Sequence, residues 1–401
     1  MIGAGDAILV LNAGSSSIKF ELFEAPDGAP VARFAGQIEG IGAAPHFTAK
    51  DATGAQLAER RWDGEDAPAN HRAALDVVIG WLDGVLQGRR VGAVGHRVVH
   101  GGPDLAAPVL LDESVIARLR ALAPLAPLHQ PHNLAGIEAA AERFPGVPQI
   151  ACFDTGFHRS HAWEADTFAL PPEFYERGIR RYGFHGLSYE FIARTLAREE
   201  PALAAGRVVV AHLGNGSSLC AIQNGRSVDS TMGFTALDGV PMGTRCGQID
   251  PGVLLHLLGT EGMELGAVQK LLYGNAGLKG MSGISQDVRD LEASGDPRAA
   301  RALSHYCFRV RREIGALAAS LGGIDALVFT AGIGENARAV RARICEGLEF
   351  LGIALDPARN AANSPEISPP RARTRVLVLR TDEEGMIARH VLDVLRRSRK
   401  P

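Results

Sequence analysis

AILVLNAGSSSIKFELF, Ala7 to Phe23, is the stretch on which the fold turns. An apolar run from Ala7 to Leu11 meets the turn-forming residues Asn12 to Ser17. Beyond them the chain alternates, with Ile18, Phe20 and Leu22 on one face and Lys19 and Glu21 on the other. A period of two belongs to extended backbone, whose successive side chains point to opposite faces. The stretch therefore predicts a hairpin and not a strand followed by a helix.

The same grammar returns in the second half of the chain, in RVVVAHLGNGSSLCAI, Arg207 to Ile222. A third strand runs into glycine in ALVFTAGIGEN, Ala326 to Asn336, and the following ARAVRARICEGLEFLG has helical composition and ends on glycine, so its loop is expected at a helix N-terminus. Pro/Gly-rich breaks near 123–131, 144–148 and 363–370 punctuate the chain, the last before the strand RVLVL and a helix from about Glu384. Two matched hairpins suggest duplicated α/β halves.

A chain of 401 residues exceeds one ordinary core, which points to two domains or more. Apolar residues at 46% and charged residues at 22% are globular usage. A net charge of -3 supplies no broad field for a polyanion, so no nucleic-acid partner is expected. With no N-terminal signal pattern and no apolar run of bilayer length, no membrane partner is expected and the cytoplasm is the expected compartment. Cys152, Cys220, Cys246, Cys307 and Cys345 are scattered without C-x-x-C spacing, which points to reduced thiols and away from a disulfide framework or zinc.

Approach to a polyphosphate requires small residues whose backbone N–H groups are accessible, and Gly14 with its serines, and Gly214 with Gly216, meet that need. No Walker A sequence is present, and GAGD at Gly3 to Asp6 precedes its strand instead of following one, so neither a P-loop nor a dinucleotide loop is indicated. Arg97 in GHRVVHGG and Arg245 in MGTRCGQIDPG sit in glycine-dense, otherwise apolar settings where a guanidinium fork could hold a carboxylate or phosphate. Asp154 follows Ile150 and Ala151, where a strand end would display a carboxylate, although a turn or N-cap role suits it equally. His185 and His212 lie beside glycines and could donate to phosphoryl oxygens. His96 and His100 are four apart but in a Val-rich strand context without an acidic third ligand nearby, which argues against zinc.

Taken together and in order, LNAGSSSIKF, HRVVHGG, FDTGFH, RRYGFHG, HLGNGSS, MGTRCGQIDPG, FTAGIGEN and TDEE resemble the acetate and propionate kinase family along nearly the whole chain. The resemblance implies the fold shared by actin, sugar kinases and Hsp70: two duplicated α/β, ribonuclease H-like domains with mixed five-stranded sheets and an ATP cleft between them. It implies a first domain over 1–153 completed by 383–401, a second over 154–382, and a homodimer. The implied activity is reversible transfer of the ATP γ-phosphoryl group to acetate, giving acetyl phosphate and ADP and feeding acetyl-CoA formation. Propionate or another short-chain acyl acceptor is the alternative within enzymes, and an actin-like or Hsp70-like nucleotide switch the alternative outside them.

Carried onto this sequence, the resemblance assigns Asn12 and Glu383 to Mg²⁺, with Mn²⁺ a substitute, and Arg97, Val99, Leu128 and Phe184 to the acyl substrate. Lys19, His212, Leu213, Gly214, Asn215 and Gly216, then Asp287, Val288 and Arg289, and finally Gly332, Ile333, Gly334, Glu335 and Asn336, are assigned to ATP or ADP. Asp154, His185 and Arg245 are assigned to catalysis. Phosphoryl transfer needs positioning and neutralisation of charge on the equatorial oxygens, which Arg245 and His185 suit. Acetate is already ionised near neutral pH, so aligning substrates or supporting the metal shell suits Asp154 better than general-base work. The chain departs from the family in reading RTD before its glutamate pair, CGQ after Arg245, and Ala236 where acetate kinases usually carry proline; the last would make the acyl pocket roomier.

Overall fold

A computed structural model describes residues 6–14, 16–64, 66–86, 88–127 and 129–398. Two compact units result, one formed by Met1–Gly156 with Asp382–Pro401 and the other by Phe157–Thr381.

The first unit holds strands β1 (Ala7–Ala13), β2 (Ser17–Glu24), β3 (Val31–Glu39), β4 (His46–Asp51), β5 (Gln56–Arg61), β6 (Val91–Val98), β7 (Val109–Leu110) and β8 (Gln149–Phe153). They form one sheet in the order β5-β4-β3-β2-β1-β6-β8-β7. β1 and β2 pair antiparallel as the alternation predicts, with Asn12 opposite Lys19, while β1, β6 and β8 run parallel. β1 is apolar from Ala7 to Leu11 because both its faces are covered. Leu9 and Leu11 join a cluster with Leu75, Val78 and Ile79 of the helix His71–Val85. The opposite face meets the helix Glu383–Arg397: a Cβ on Gly95 would strike Ile387 and Val391 and lie beside Val10.

The second unit holds β9 (Arg207–Leu213), β10 (Ser217–Gln223), β11 (Arg226–Ser230), β12 (Ala326–Thr330) and β13 (Arg375–Val378), in the order β11-β10-β9-β12-β13. Val209 and Ala211 pack towards Tyr306, Val310 and Ile314 of the helix Pro297–Ser320, and Val208 and Val210 towards Tyr189, Ile192 and Leu196 of the helix Gly186–Glu199. Strands β9 to β13 repeat the order and the senses of β3-β2-β1-β6-β8.

The expectation of five strands in each half therefore needs correcting, because the first sheet has eight. β4 and β5 prolong its antiparallel meander, and the two-residue β7 borders its other edge. β5 is almost wholly exposed, so its sequence carries no apolar alternation to announce it. TAGIGEN departs from expectation as well. Ala331–Asn336 is itself a turn of helix, and the helix Arg338–Cys345 begins two residues later. All five cysteines are free thiols, and no helix among the described residues is long and apolar enough to cross a membrane.

Asn133, 4% exposed, ties the end of β1 to the residue after β6: its Nδ2 donates to the Ala13 carbonyl at 2.8 Å and its Oδ1 accepts from the Val99 N–H at 3.0 Å. Asn133→Ala strands one buried and one half-buried backbone group and should destabilise the protein by about 1–3 kcal/mol. A urea midpoint equal to that of the parent protein would show that both groups find other partners.

Candidate functional site

In the first unit, the end of β6 carries Arg97 and the residue after β8 is Asp154. Parallel pairing of these strands sets Arg97 opposite Cys152 and brings its fork onto the Asp154 carboxylate. Nε donates to Oδ1 at 3.0 Å and Nη2 to Oδ2 at 2.7 Å, with Asp154 only 2% exposed. Glu383, at the start of its helix, stands 3.6 Å from the same Nη2. The two carboxylates hold the Arg97 guanidinium firmly charged in spite of its burial. Burial pushes the Glu383 carboxyl up to about 7, against the pull of Arg97.

Alongside, the carboxylates of Glu21, Asp382 and Glu384 converge within 4.8 Å of one another. Burial and the two neighbouring acids raise Glu21 to about 8. Asp382 already serves its helix, accepting from the Gly385 N–H at 2.7 Å. The turn after β1 is pinned where His71 Nε2 donates to the Gly14 carbonyl at 2.6 Å. Lys19 stands exposed on β2.

In the second unit, His185 caps the helix Gly186–Glu199 with a left-handed backbone, φ 58°, a costly conformation for a side chain with a Cβ. Its ring stacks on that of His212 at 4.2 Å, and its Nδ1 is hydrogen-bonded to Ser218 Oγ at 2.8 Å. Ser218 also meets Tyr189 Oη at 2.5 Å, while His212 Nδ1 meets Ser188 Oγ at 2.8 Å. His158 Nε2 donates to the Phe184 carbonyl at 3.0 Å, fixing the backbone just ahead of His185. Arg245 donates from Nη1 to the Ala236 carbonyl at 2.6 Å. A Cβ on Gly216 would fall 3.1 Å from Arg245 Nη2 and 3.3 Å from His185 Nε2, so the missing side chain lets the hairpin turn lie close to both groups without displacing them.

A separate pocket of about 550 Å³ opens in this unit, lined by Gly214, Asn215, Asp287, Val288, Arg289, Gly332, Ile333 and Asn336 together with Gln286, Glu292 and Ala337. Asp287 holds Arg289 in a fork, accepting from Nε at 3.0 Å and Nη2 at 2.6 Å, and also accepts from the Arg289 N–H. The glycine turn, that ion pair and the AGIGEN helix thus come together from three distant stretches of sequence.

Residues 7–389 match the model of the Acetokinase family. The chain belongs to the acetokinase family. Over 391 residues it is 53% identical to the acetate kinase of Nitrobacter hamburgensis, covering 97% of this chain and 96% of that one. It superimposes on the acetate kinase of Porphyromonas gingivalis with a TM-score of 0.86 at 35% identity, covering 97% of this chain and all of the other. The propionate kinase of Francisella tularensis gives a TM-score of 0.90 at 32% identity, again over 97% of this chain and 100% of that one.

Of the positions that the family resemblance implies, Arg97, Asp154 and Glu383 lie in contact, and Asn12 and Lys19 face each other across the first hairpin. Val99 is half-buried after β6, and Leu128 lies outside the described residues. In the second unit, His185, His212, Gly216 and Arg245 gather around the second hairpin turn, with Phe184 buried just ahead of His185 and Leu213 buried at the end of β9. Two residues of GIGEN serve the helix and do not line the pocket: Gly334 is buried under β12, and Glu335 accepts from the Ala331 N–H at 2.9 Å and the Thr381 N–H at 3.2 Å. Ser188, Tyr189, Ser218 and Thr381 were not legible as site residues. Thr381 Oγ1 donates to Ser188 Oγ at 2.8 Å across 193 positions of sequence, and no local pattern announces such a contact.

Gly216→Ala places a methyl group against His185 and Arg245, and if these two side chains serve the reaction as the resemblance implies, small displacements of them are costly. We expect kcat to fall roughly ten- to hundredfold, with the melting temperature nearly unchanged. Parental turnover in this variant would show that the close approach is not needed.

Proposed function

We propose that this chain transfers the γ-phosphoryl group of ATP to the carboxylate of acetate, reversibly, giving acetyl phosphate and ADP. The observation that carries the reading is the state of Arg97. Its Nε and Nη2 are committed to Asp154, while its Nη1 makes no hydrogen bond among the described residues. A guanidinium oriented on one edge and free on the other is suited to receive a second carboxylate. Asp154 then acts by aiming Arg97, which agrees with an acceptor that needs no deprotonation. In the second unit, Arg245 and His185 are suited to neutralise charge on the transferring phosphoryl oxygens, and the pocket beside Gly214 to hold the nucleotide.

Asn12 and Glu383 would hold Mg²⁺, with Mn²⁺ a substitute; both offer the hard oxygen donors that such an ion prefers. Glu383 is a half-buried carboxylate whose charge costs free energy where it stands, and a divalent cation would offset that cost. Bound there, the ion would supply charge neutralisation to the polyphosphate. A homodimer is the proposed assembly. Val253, Leu255, Leu258 and Leu265 are exposed on successive helical segments between 251 and 274, and Phe308 is 57% exposed on the helix Pro297–Ser320. The cytoplasm remains the proposed compartment.

The direct test is ATP-dependent acyl phosphate formation, trapped as hydroxamate, with acetate, propionate and butyrate offered separately. Arg97→Ala should raise the KM for acetate by roughly two orders of magnitude and leave that for ATP within about threefold, since it deletes a charge-assisted contact to one substrate. Equal losses for both substrates would remove the carboxylate role. Propionate deserves its place in the assay because the Ala236 carbonyl holds Arg245, so the loop that departs from the acetate kinases also touches the catalytic arginine. One methylene in an apolar pocket is worth only about 1–3 kcal/mol, and we expect measurable propionate use that Ala236→Pro reduces. An unchanged ratio of kcat/KM for acetate over propionate in that variant would show that Ala236 does not set selectivity.

A further inference from the structure

The largest fully buried side chain among the described residues is that of Arg341, in the helix Arg338–Cys345. Arginine is rarely buried without a carboxylate, because a desolvated cation needs a counter-charge. Here every partner is an uncharged oxygen. Nη1 donates to the carbonyls of Gly334 and Glu335, each at 2.9 Å. Nε donates to Asn360 Oδ1 at 3.0 Å, and Nη2 to Asn363 Oδ1 at 2.7 Å and the Asn360 carbonyl at 3.4 Å. Burial draws the guanidinium down to about 10, which leaves it charged at neutral pH.

The two carbonyls belong to the last turn of Ala331–Asn336, and that short helix has little reason to form by itself. Two of its six residues are glycine, and Ala331 begins it in a left-handed conformation, φ 63°. Both ends are therefore held from outside its hydrogen-bond ladder. The Glu335 carboxylate closes the N-terminal end at the Ala331 N–H, and the Arg341 guanidinium closes the C-terminal carbonyls. Each charge has the sign that complements the helix dipole at its end. From this helix Gly332, Ile333 and Asn336 face the 550 Å³ pocket, which Arg341 itself does not line.

We propose that Arg341 is a positioning residue for nucleotide binding: it touches no substrate, and it holds the AGIGEN helix in the orientation that presents Gly332, Ile333 and Asn336 to the nucleotide. The inference rests on reading that pocket as the ATP site. Buried polar networks impose one arrangement at the expense of stability, which is the trade expected where a wall built on a short, glycine-containing helix must hold its shape.

The test compares the full-length parent protein with Arg341→Lys, Arg341→Met and the milder Asn363→Ala, which removes one acceptor and leaves the cation. The readouts are the Kd for a fluorescent ADP analogue, the KM for ATP, the KM for acetate and the melting temperature. We expect the analogue Kd and the ATP KM to rise at least tenfold in Arg341→Met. Smaller rises are expected in Arg341→Lys, whose ammonium restores charge without the fork, and two- to fivefold rises in Asn363→Ala. The acetate KM should stay within twofold in all three. If Arg341→Met does not fold, the graded pair of Lys and Asn363 variants decides the matter by the same readouts. Lower melting temperatures with unchanged nucleotide Kd and KM would overturn the proposal, because a merely structural arginine shifts stability alone. Failure of the parent protein to bind the analogue would overturn the pocket reading and this one with it, whereas unchanged affinity in the variants overturns this one alone.

Discussion

A guanidinium taken out of water must find its oxygens within the protein, and the two units meet this constraint in opposite ways. Arg97 is matched by carboxylates, Asp154 in a two-point fork and Glu383 a little farther off. That arrangement fixes the arginine and leaves its Nη1 without a hydrogen bond among the described residues. Arg341 is matched only by carbonyl and amide oxygens, so its charge is spread over helix ends and asparagines instead of being cancelled. The first solution orients a guanidinium, and the second shapes a wall. Desolvation, complete at Arg341 and partial at Arg97, makes both unforgiving: removing a partner leaves a poorly solvated charge, which is more costly than losing a surface contact.

Glycine plays the complementary part. Gly216 lets the hairpin turn approach His185 and Arg245, and Gly243 lies where a Cβ would fall on the Asn215 side chain. The Gly243 N–H donates to the Asn215 carbonyl at 3.1 Å, so the loop carrying Arg245 is bonded directly to the turn beside the pocket. A methyl group at either position would press on these side chains and force them to shift.

Much of this was legible in the sequence because it is local. Period-two alternation from Ile18 to Leu22 gave the first hairpin, and the matching grammar at Arg207 to Ile222 gave the second. Strongly apolar strands such as β1 and β9 declare themselves because both faces are covered. β5 does not, being almost wholly exposed and charged, so nothing in its pattern announces that the first sheet extends beyond five strands. AGIGEN reads as a loop by composition, since its helix depends on Arg341, whose role is visible only once the fold has buried it. The same holds for the serine pair behind the histidines: Ser188 and Ser218 are ordinary in sequence and acquire meaning through His212 and His185.

The helix Glu383–Arg397 packs Met386, Ile387 and Val391 into the first unit, against strands formed from the beginning of the chain. That connectivity imposes an order of events during synthesis. When Gly156 leaves the ribosome, one face of β1 and β6 still lacks its cover, and all of Phe157–Thr381 must be made before the covering helix exists. At about 5–20 residues per second the wait is on the order of ten seconds or more. Throughout it, Ile8, Val10 and Gly95 present an uncovered apolar surface in the cell. The second unit is contiguous and can close without waiting, so the nascent chain is most exposed to aggregation in the half whose sequence was translated first.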